Sequence, residues 1–354
     1  MSKNTTIRLK DIAEIAGVSI PVVSVALSRR TNSTTKLTKE TAERIQKIAA
    51  ELNYKPDIFG RSLRANKSFL VGIMLYSVNS TIIGDFIRGV QKSFAKSGYS
   101  PIFLTHANRD EQRRNLELCV ERKVDGLILN AWIDEESEET DNDFIKNLIP
   151  DRVPIIEVFG HNLPDTVTLN IDMKNATYNM CSHLLDSGYK KILMINHEKY
   201  KLGSESGIFL DAWESFNGYQ KAMLDHGLPA RILTHPLVKE DTYINWSENT
   251  YNLISMILEK NELPEAIICM NDEQAYGILK ACAEHNISIP KDLALCCVYD
   301  SRVCQFSIPS LTACSVLTYD FGITASEMLF KVIEKKSVVS KKTKTKLVVR
   351  ESSR

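Results

Sequence analysis

The first stretch of apolar positions with a regular period lies near the N-terminus. Ile12, Ile15 and Ala16 recur at helical spacing over residues 11–16, and Gly17 stops the run. Ser19 then offers a side-chain oxygen to cap a second helix. Pro21 fits its first turn, where backbone N–H groups have no intrahelical partner. In that helix Val23, Ala26 and Leu27 share the face predicted to pack inward, and Ile20, Pro21, Ser24, Val25 and Ser28 share the outward face. A third helix is predicted after a Thr38 cap, with Ala42, Ile45, Ile48, Ala49 and Leu52 as its apolar stripe. Two short helices joined by Ala16-Gly17-Val18 are what a helix-turn-helix needs.

From Phe69 onward the period changes. Short apolar runs read as buried strands at Leu70–Leu75, Ile102–Leu104, Leu127–Leu129, Ile155–Val158, Ile192–Ile195, Ala266–Cys269 and Leu293–Tyr299, with amphipathic helices between them. That alternation predicts an α/β body with parallel, doubly wound sheets. A helix end with glycine in the left-handed cap position recurs before a strand at Ser97-Gly98-Tyr99 and Ser187-Gly188-Tyr189, and again at His226-Gly227-Leu228. The repetition predicts two similar lobes.

Charge sharpens this division. Residues 1–66 carry a net +6 and residues 67–354 a net −6, within a chain whose total is +0. A basic head on an acidic body points to a polyanion at one end only. The 8 cysteines form no CxxC pair and sit mostly in apolar runs, so they are expected to be buried, reduced thiols. No metal or cofactor is expected, because the histidines show no ligand spacing and there is no phosphate-binding loop or nucleophile elbow. The acidic run over residues 134–141 reads as a solvated loop, and the lysines at 335–336 and 341–342 as a surface hairpin or loop before the last strand. The polar N-terminus lacks the apolar segment of a secretory signal, so the protein is expected in the cytoplasm.

The head carries a specific resemblance. The run Ile7-Arg8-Leu9-Lys10-Asp11-Ile12-Ala13-Glu14-Ile15-Ala16-Gly17-Val18-Ser19 is similar to the opening of LacI-family regulators. The similarity continues through Val23-Ser24, Ala26-Leu27, Glu40-Thr41, Asn53-Tyr54-Lys55-Pro56 and Arg61-Ser62-Leu63-Arg64. It implies a helix-turn-helix over residues 1–53, a hinge helix and linker over 54–68, and a two-lobed periplasmic-binding-protein-like domain for effector binding and dimerisation over 69–354. It also implies DNA contacts from Arg8, Leu9, Ser19, Ile20, Pro21, Val22, Ser24, Val25, Ser28, Arg29, Tyr54, Arg61, Leu63 and Arg64. Leu63 takes the place of the family's minor-groove wedge. Two positions depart from the pattern. Val22 stands where the family usually has a phosphate-binding threonine, and Val25 where it often has a base-reading arginine, so the outward face is unusually apolar. Apolar groups still contact thymine methyls.

The body resembles the same family in Arg88-Gly89-Val90, in Val124-Asp125-Gly126-Leu127-Ile128-Leu129, in Gly218-Tyr219, in Asn271-Asp272 with Ala275 and Gly277, and in the terminal Leu347-Val348-Val349-Arg350-Glu351-Ser352. Ligands of open α/β sheets bind beyond the carboxyl ends of strands. Asn271 and Asp300 occupy such positions, and Trp246 matches a family position whose ring stacks on the effector. An aromatic face beside an amide and a carboxylate suits a sugar. Ser77, Asn79, Ile82, Phe159 and His161 complete the candidate cleft. Ser215 stands where the family usually places a cleft arginine, which removes a two-pronged contact to an anion. The reading is therefore a transcription regulator, a repressor acting as a homodimer on an operator and controlled by a sugar-like effector. The alternatives are the same fold controlled by a protein partner, or a solute-binding protein. No catalytic constellation supports an enzyme.

Overall fold

The computed structural model describes residues 7–27, 37–54, 62, 65–76, 81–131, 141–160, 163, 165–198, 210–235, 246–260 and 262–354. The chain divides into two units, Met1–Asn66 and Lys67–Arg354. In the first unit α1 is Leu9–Ala16, α2 is Ile20–Leu27 and α3 is Lys39–Glu51. Helix α1 begins earlier than its apolar period suggests, because the Arg8 N–H donates to the Asp11 carboxylate at 2.7 Å and closes the first turn. Gly17, at φ 62°, ends it in the left-handed conformation. The Thr38 hydroxyl caps α3 by accepting from the Thr41 N–H at 3.3 Å. Ile12, Ala13, Ala16, Val23, Ala26, Ile45 and Ala49 form the core of this unit. Ile15 does not join them. It is 60% exposed, and the smaller Ala13 fills the inward position between Ile12 and Ala16. Helix α3 ties the other two down: the Arg44 guanidinium donates to the Ala16 carbonyl at 3.0 Å, and the Gln46 amide to the Ala26 carbonyl at 3.1 Å.

In the second unit the strands are β1 Leu70–Leu75, β2 Ser100–Thr105, β3 Leu127–Leu129, β4 Ile155–Val158, β5 Val167–Ile171, β6 Ile192–His197, β7 Arg231–His235, β8 Ala266–Cys269, β9 Ala294–Tyr299, β10 Thr312–Ser315, β11 Lys341–Thr343 and β12 Lys346–Val348. The helices are α4 Thr81–Ser97, α5 Arg109–Glu121, α6 Asp141–Leu148, α7 Met173–Asp186, α8 Leu210–Asp225, α9 Trp246–Glu259, α10 Asp272–Glu284 and α11 Thr318–Ile333. One sheet has the order β11-β5-β4-β3-β1-β2 and the other β12-β10-β9-β8-β6-β7. Ignoring the edge strands β11 and β12, the two orders are the same, so each lobe is the same doubly wound unit. All pairings are parallel except β12 with β10. Gly98, Gly188 and Gly227 all have positive φ, as the repeated helix-end signature requires.

The basic segment before the last strand is not a hairpin. Lys341 and Lys342 belong to β11, which pairs with β5 in the first lobe, while β12 pairs with β10 in the second. The exposed edge of β5 explains this. Its Thr168 N–H donates to the Ser340 hydroxyl at 3.0 Å, and the following Asp172 N–H donates to the Thr343 carbonyl at 2.9 Å.

Three helix pairs cross in close contact, each at a glycine of the motifs noted above. A Cβ on Gly89 would lie 2.0 Å from the Tyr319 carbonyl oxygen where α4 meets α11. On Gly218 it would lie 2.0 Å from the Lys174 carbonyl oxygen (α8 on α7), and on Gly277 2.3 Å from that of Ser247 (α10 on α9). Tyr219 is fully buried beside the second crossing. Its hydroxyl lies 2.9 Å from the carbonyls of Ile192 and Arg231 and accepts the Arg231 N–H at 2.8 Å, pinning the starts of β6 and β7 together. All 8 cysteines are buried and free.

Candidate functional site: a helical head and an interlobe cleft

On the head, Ser19, Ile20 and Pro21 are exposed, Ile20 by 47%. Arg8 is also exposed. Ser24 and Val25 are half-buried on the same helix. Leu9, Val22 and Tyr54 pack against the core of the head, so much of each side chain stabilises the fold and is not free to meet DNA. Ser28, Arg29, Arg61, Leu63 and Arg64 lie outside the described residues.

The connections between lobes define the cleft. Strand β5 leaves the carboxyl edge of the first sheet and runs through Asp172 straight into α7 of the second lobe. Strand β10 leaves the carboxyl edge of the second sheet and enters α11, which packs on β3 and β4 of the first. In a wound α/β lobe a helix begins near the carboxyl edge and runs back to start the next strand. Both connections therefore join carboxyl edge to carboxyl edge, and the two edges face each other across the cleft. Lys342 of β11 and Glu214 of α8 form an ion pair at 2.5 Å that bridges the lobes.

Several of the candidate residues lie beyond those strand ends or on the helices that follow. Asp300 follows β9, but its carboxylate is already engaged. Arg350 grips both oxygens at 2.9 Å, and the pair is only 11% and 17% exposed, respectively. Asn271 follows β8, and its side-chain carbonyl accepts the Gln274 N–H at 2.9 Å as the cap of α10. Trp246 opens α9 and is half-buried. Ser215, on α8, is fully buried, and its hydroxyl has no hydrogen-bond partner among the described residues. Nor has the buried hydroxyl of the half-buried Tyr276, whose pKa burial pushes up to about 12. Unmatched buried hydroxyls are uncommon in folded proteins.

The ring of Phe159 is partly buried and packs on the aromatic core, 4.8 Å from Phe321 and 5.2 Å from Phe86, and its backbone is left-handed at φ 53°. Ile82 is half-buried in the first turn of α4. Ser77, Asn79 and His161 lie outside the described residues.

Sequence reasoning missed three groups. Asn130 follows β3 at the carboxyl edge. Its amide donates to the Val158 carbonyl at 3.3 Å, and its oxygen accepts the Tyr76 N–H at 3.4 Å. The strand-end rule that found Asn271 finds it too. Asp211 accepts the Tyr299 hydroxyl at 2.9 Å, joining α8 to β9. His106, just past β2, is 1% exposed, and burial pulls its pKa down to about 4 against weaker opposing effects of the Asn130 backbone and Glu111.

A helix-turn-helix head and a two-lobed, doubly wound body together define the class of two-domain DNA-binding regulators. Two family models match: bacterial regulatory proteins of the lacI family over residues 8–57, and the periplasmic binding protein-like domain over residues 181–353. The chain thus has the two-domain make-up of the LacI family, a DNA-binding regulator head on a periplasmic binding protein-like body. It is 26% identical over 330 residues to the HTH-type transcriptional repressor PurR of Histophilus somni (strain 2336), covering 93% of this chain and 92% of that protein. The fold matches the lac repressor dimer bound to operator and the anti-inducer ONPF, with a TM-score of 0.79, 19% identity and 99% of both chains covered. It also matches the transcriptional regulator CelR in its cellobiose complex, with a TM-score of 0.66, 18% identity, and 98% of this chain and 99% of that chain covered.

Proposed function

We propose that this repressor is a cytoplasmic homodimer whose hold on its operator is set by a neutral, hydroxyl-rich ligand of the sugar class bound between the lobes. The observation that carries the ligand class is the charge state of the described cleft residues. Ser215 puts a neutral, fully buried side chain in the second turn of α8, and two cations beyond the strand ends are matched, Arg350 by Asp300 and Lys342 by Glu214. An anionic ligand that used either of those cations would have to break its pair. A polyol would find the side-chain amides of Asn130 and Asn271 and the Trp246 ring. The cellobiose bound to the structurally similar CelR supports the same class.

The homodimer is supported by an apolar patch on the loop between β9 and β10. Val303, Phe306 and Ile308 are 37%, 77% and 93% exposed. Such a patch on an α/β lobe is a surface for another protein, and the structurally similar lac repressor is a dimer on its operator. Two heads on one dimer read two half-sites.

Calorimetric titration of the full chain with a panel of neutral sugars, their phosphorylated or carboxylated analogues and free nucleobases tests the ligand class. Binding of neutral sugars in preference to the others is the expected result. Preference for the anionic analogues or for a nucleobase overturns it. Trp246→Ala is expected to weaken the preferred sugar by about 1–3 kcal/mol through lost apolar contact, while binding to operator without ligand stays unchanged.

A further inference from the structure

The acidic body carries one basic end. In the first lobe the strands β1 to β5 run parallel, so the segments that precede them share one edge, opposite the cleft. Lys67 precedes β1, Arg122 and Lys123 precede β3, and Arg152 precedes β4. Lys335 and Lys336 follow α11, which starts at the cleft and so ends at this same edge. Arg122, Lys123, Arg152, Lys335 and Lys336 are all exposed.

Contacts place these groups together. Lys123 and Arg152 line one shallow groove over Cys119 and Val153. The Lys67 ammonium donates to the Tyr99 hydroxyl at 3.1 Å, the Tyr99 ring stacks on Phe330 of α11 at 5.6 Å, and Lys67 also acts electrostatically on Glu334. The anions at this edge are Glu121, Asp125, Asp151, Asp165 and Glu334. Three of them are already engaged. Asp165 pairs with Lys146 at 3.0 Å. Asp125 takes the N–H groups of Ser68 and Phe69, at 3.3 and 2.7 Å, and Glu334 pairs with Lys336 at 2.6 Å. The edge is therefore net positive within a unit that is net negative.

We propose that this basic edge of the first lobe is an auxiliary DNA-contacting surface that binds duplex phosphates beyond those held by the head. The proposal rests on the DNA-binding reading of the head. Exposed cations not locked in pairs release condensed counterions when they meet phosphate, and each such contact adds to the salt dependence of binding. Charge screening over about 8 Å at physiological salt confines the effect to DNA that passes close to the edge. The groups are lysines and arginines on loops, suited to backbone contact without base readout.

The test uses the full chain, a long random-sequence duplex and the triple variant Lys123→Gln/Arg152→Gln/Lys335→Gln. The association constant is measured by fluorescence anisotropy across a range of salt concentrations. The expected result is a several-fold loss of affinity at moderate salt and a slope of log affinity against log salt shallower by about 0.9 for each phosphate contact removed. Melting temperature and sugar binding should stay as in the wild type. An unchanged slope and affinity overturn the proposal, and specific capture of an acidic protein by the wild type but not the variant would assign the edge to that partner instead. A head variant, Ser19→Glu, separates the two readings. If the wild type binds no duplex and Ser19→Glu changes nothing, the DNA reading of the head itself fails. If Ser19→Glu weakens binding and the triple variant does not, only the auxiliary surface fails.

Discussion

His106 shows how a single buried group can set the response of the fold to acid. The ordinary pKa of 6.5 falls to about 4, chiefly because burial penalises the imidazolium. Above pH 6.5 neither the folded nor the unfolded state carries the proton. As the pH falls from there, the unfolded chain takes up a proton that the folded protein refuses until about pH 4. The stability present at neutral pH is thus lost progressively across that window and then levels off, by about 3 kcal/mol in all. Urea unfolding of wild type and His106→Gln, at neutral pH and near the lower end of the window, should show a smaller acid penalty in the variant. Equal penalties would place the acid sensitivity elsewhere. Asp300 is a second case, and here the sequence reading is changed by the structure. As a strand-end carboxylate it reads as a ligand group alone, yet it is half of a two-pronged pair with Arg350, which comes 50 residues later and is invisible to any local pattern. Removing one charge of a buried pair strands the other. Asp300→Asn is therefore expected to lower folding stability by roughly 3 kcal/mol as well as weakening the ligand. A variant that lost ligand affinity with wild-type stability in chemical denaturation would show that Arg350 finds equal partners without it.

At the scale of elements, the glycine-marked helix crossings make a matched experiment possible within α4. A Cβ on Gly89 would meet the Tyr319 carbonyl oxygen at 2.0 Å, whereas a Cβ on Gly84, in the same helix, meets nothing within 4 Å. Gly84→Ala is expected to stabilise the protein by roughly 0.5–1 kcal/mol through helix propensity. Gly89→Ala should destabilise it by about 1–3 kcal/mol or more, because α4 and α11 must part. Changes of the same sign in both variants would mean that the crossing tolerates a wider spacing. The same elements mark how far the sequence could be read. Strands β1, β3, β8 and β9 are buried on both faces, so they appear as continuous apolar runs and are legible. Strand β10 reads Thr-Ala-Cys-Ser and β11 reads Lys-Lys-Thr, and neither has a period or an apolar run to announce it. Their strand character comes from neighbours far along the chain, β9 with β12 and β5, respectively. Asn271 was legible as a group beyond a strand, but whether its oxygen serves a ligand or the cap of α10 is decided by the helix start beside it. For Phe159 the sequence shows only an aromatic after a strand; the packing of its ring on Phe86 and Phe321 comes from residues far along the chain and is not legible locally.

For the whole molecule, the two lobes share one strand order and are joined carboxyl edge to carboxyl edge, so motion that opens or closes the cleft must also move the second lobe's outer loops relative to the first lobe. The loop carrying Val303, Phe306 and Ile308 leaves β9 directly after Asp300 and returns to β10 through Leu311, whose carbonyl accepts from Arg350 at 2.6 Å. The cleft carboxylate and the apolar patch are therefore two ends of one short segment, held at its base by Arg350. If the patch is where two copies meet, a ligand that shifts Asp300 also bears on the dimer contact, and by linkage dimerisation bears equally on ligand affinity. The double variant Phe306→Ser/Ile308→Ser removes the apolar surface without touching a buried group, so the fold should survive. Sedimentation of the wild type is expected to give a dimer and that of the variant a monomer. Operator affinity should fall steeply in the variant, since a single head holds one half-site, while sugar binding should persist with a modestly altered affinity. A variant that remained dimeric would move the interface to another face, and a wild type that sedimented as a monomer even on DNA would remove the homodimer from the reading.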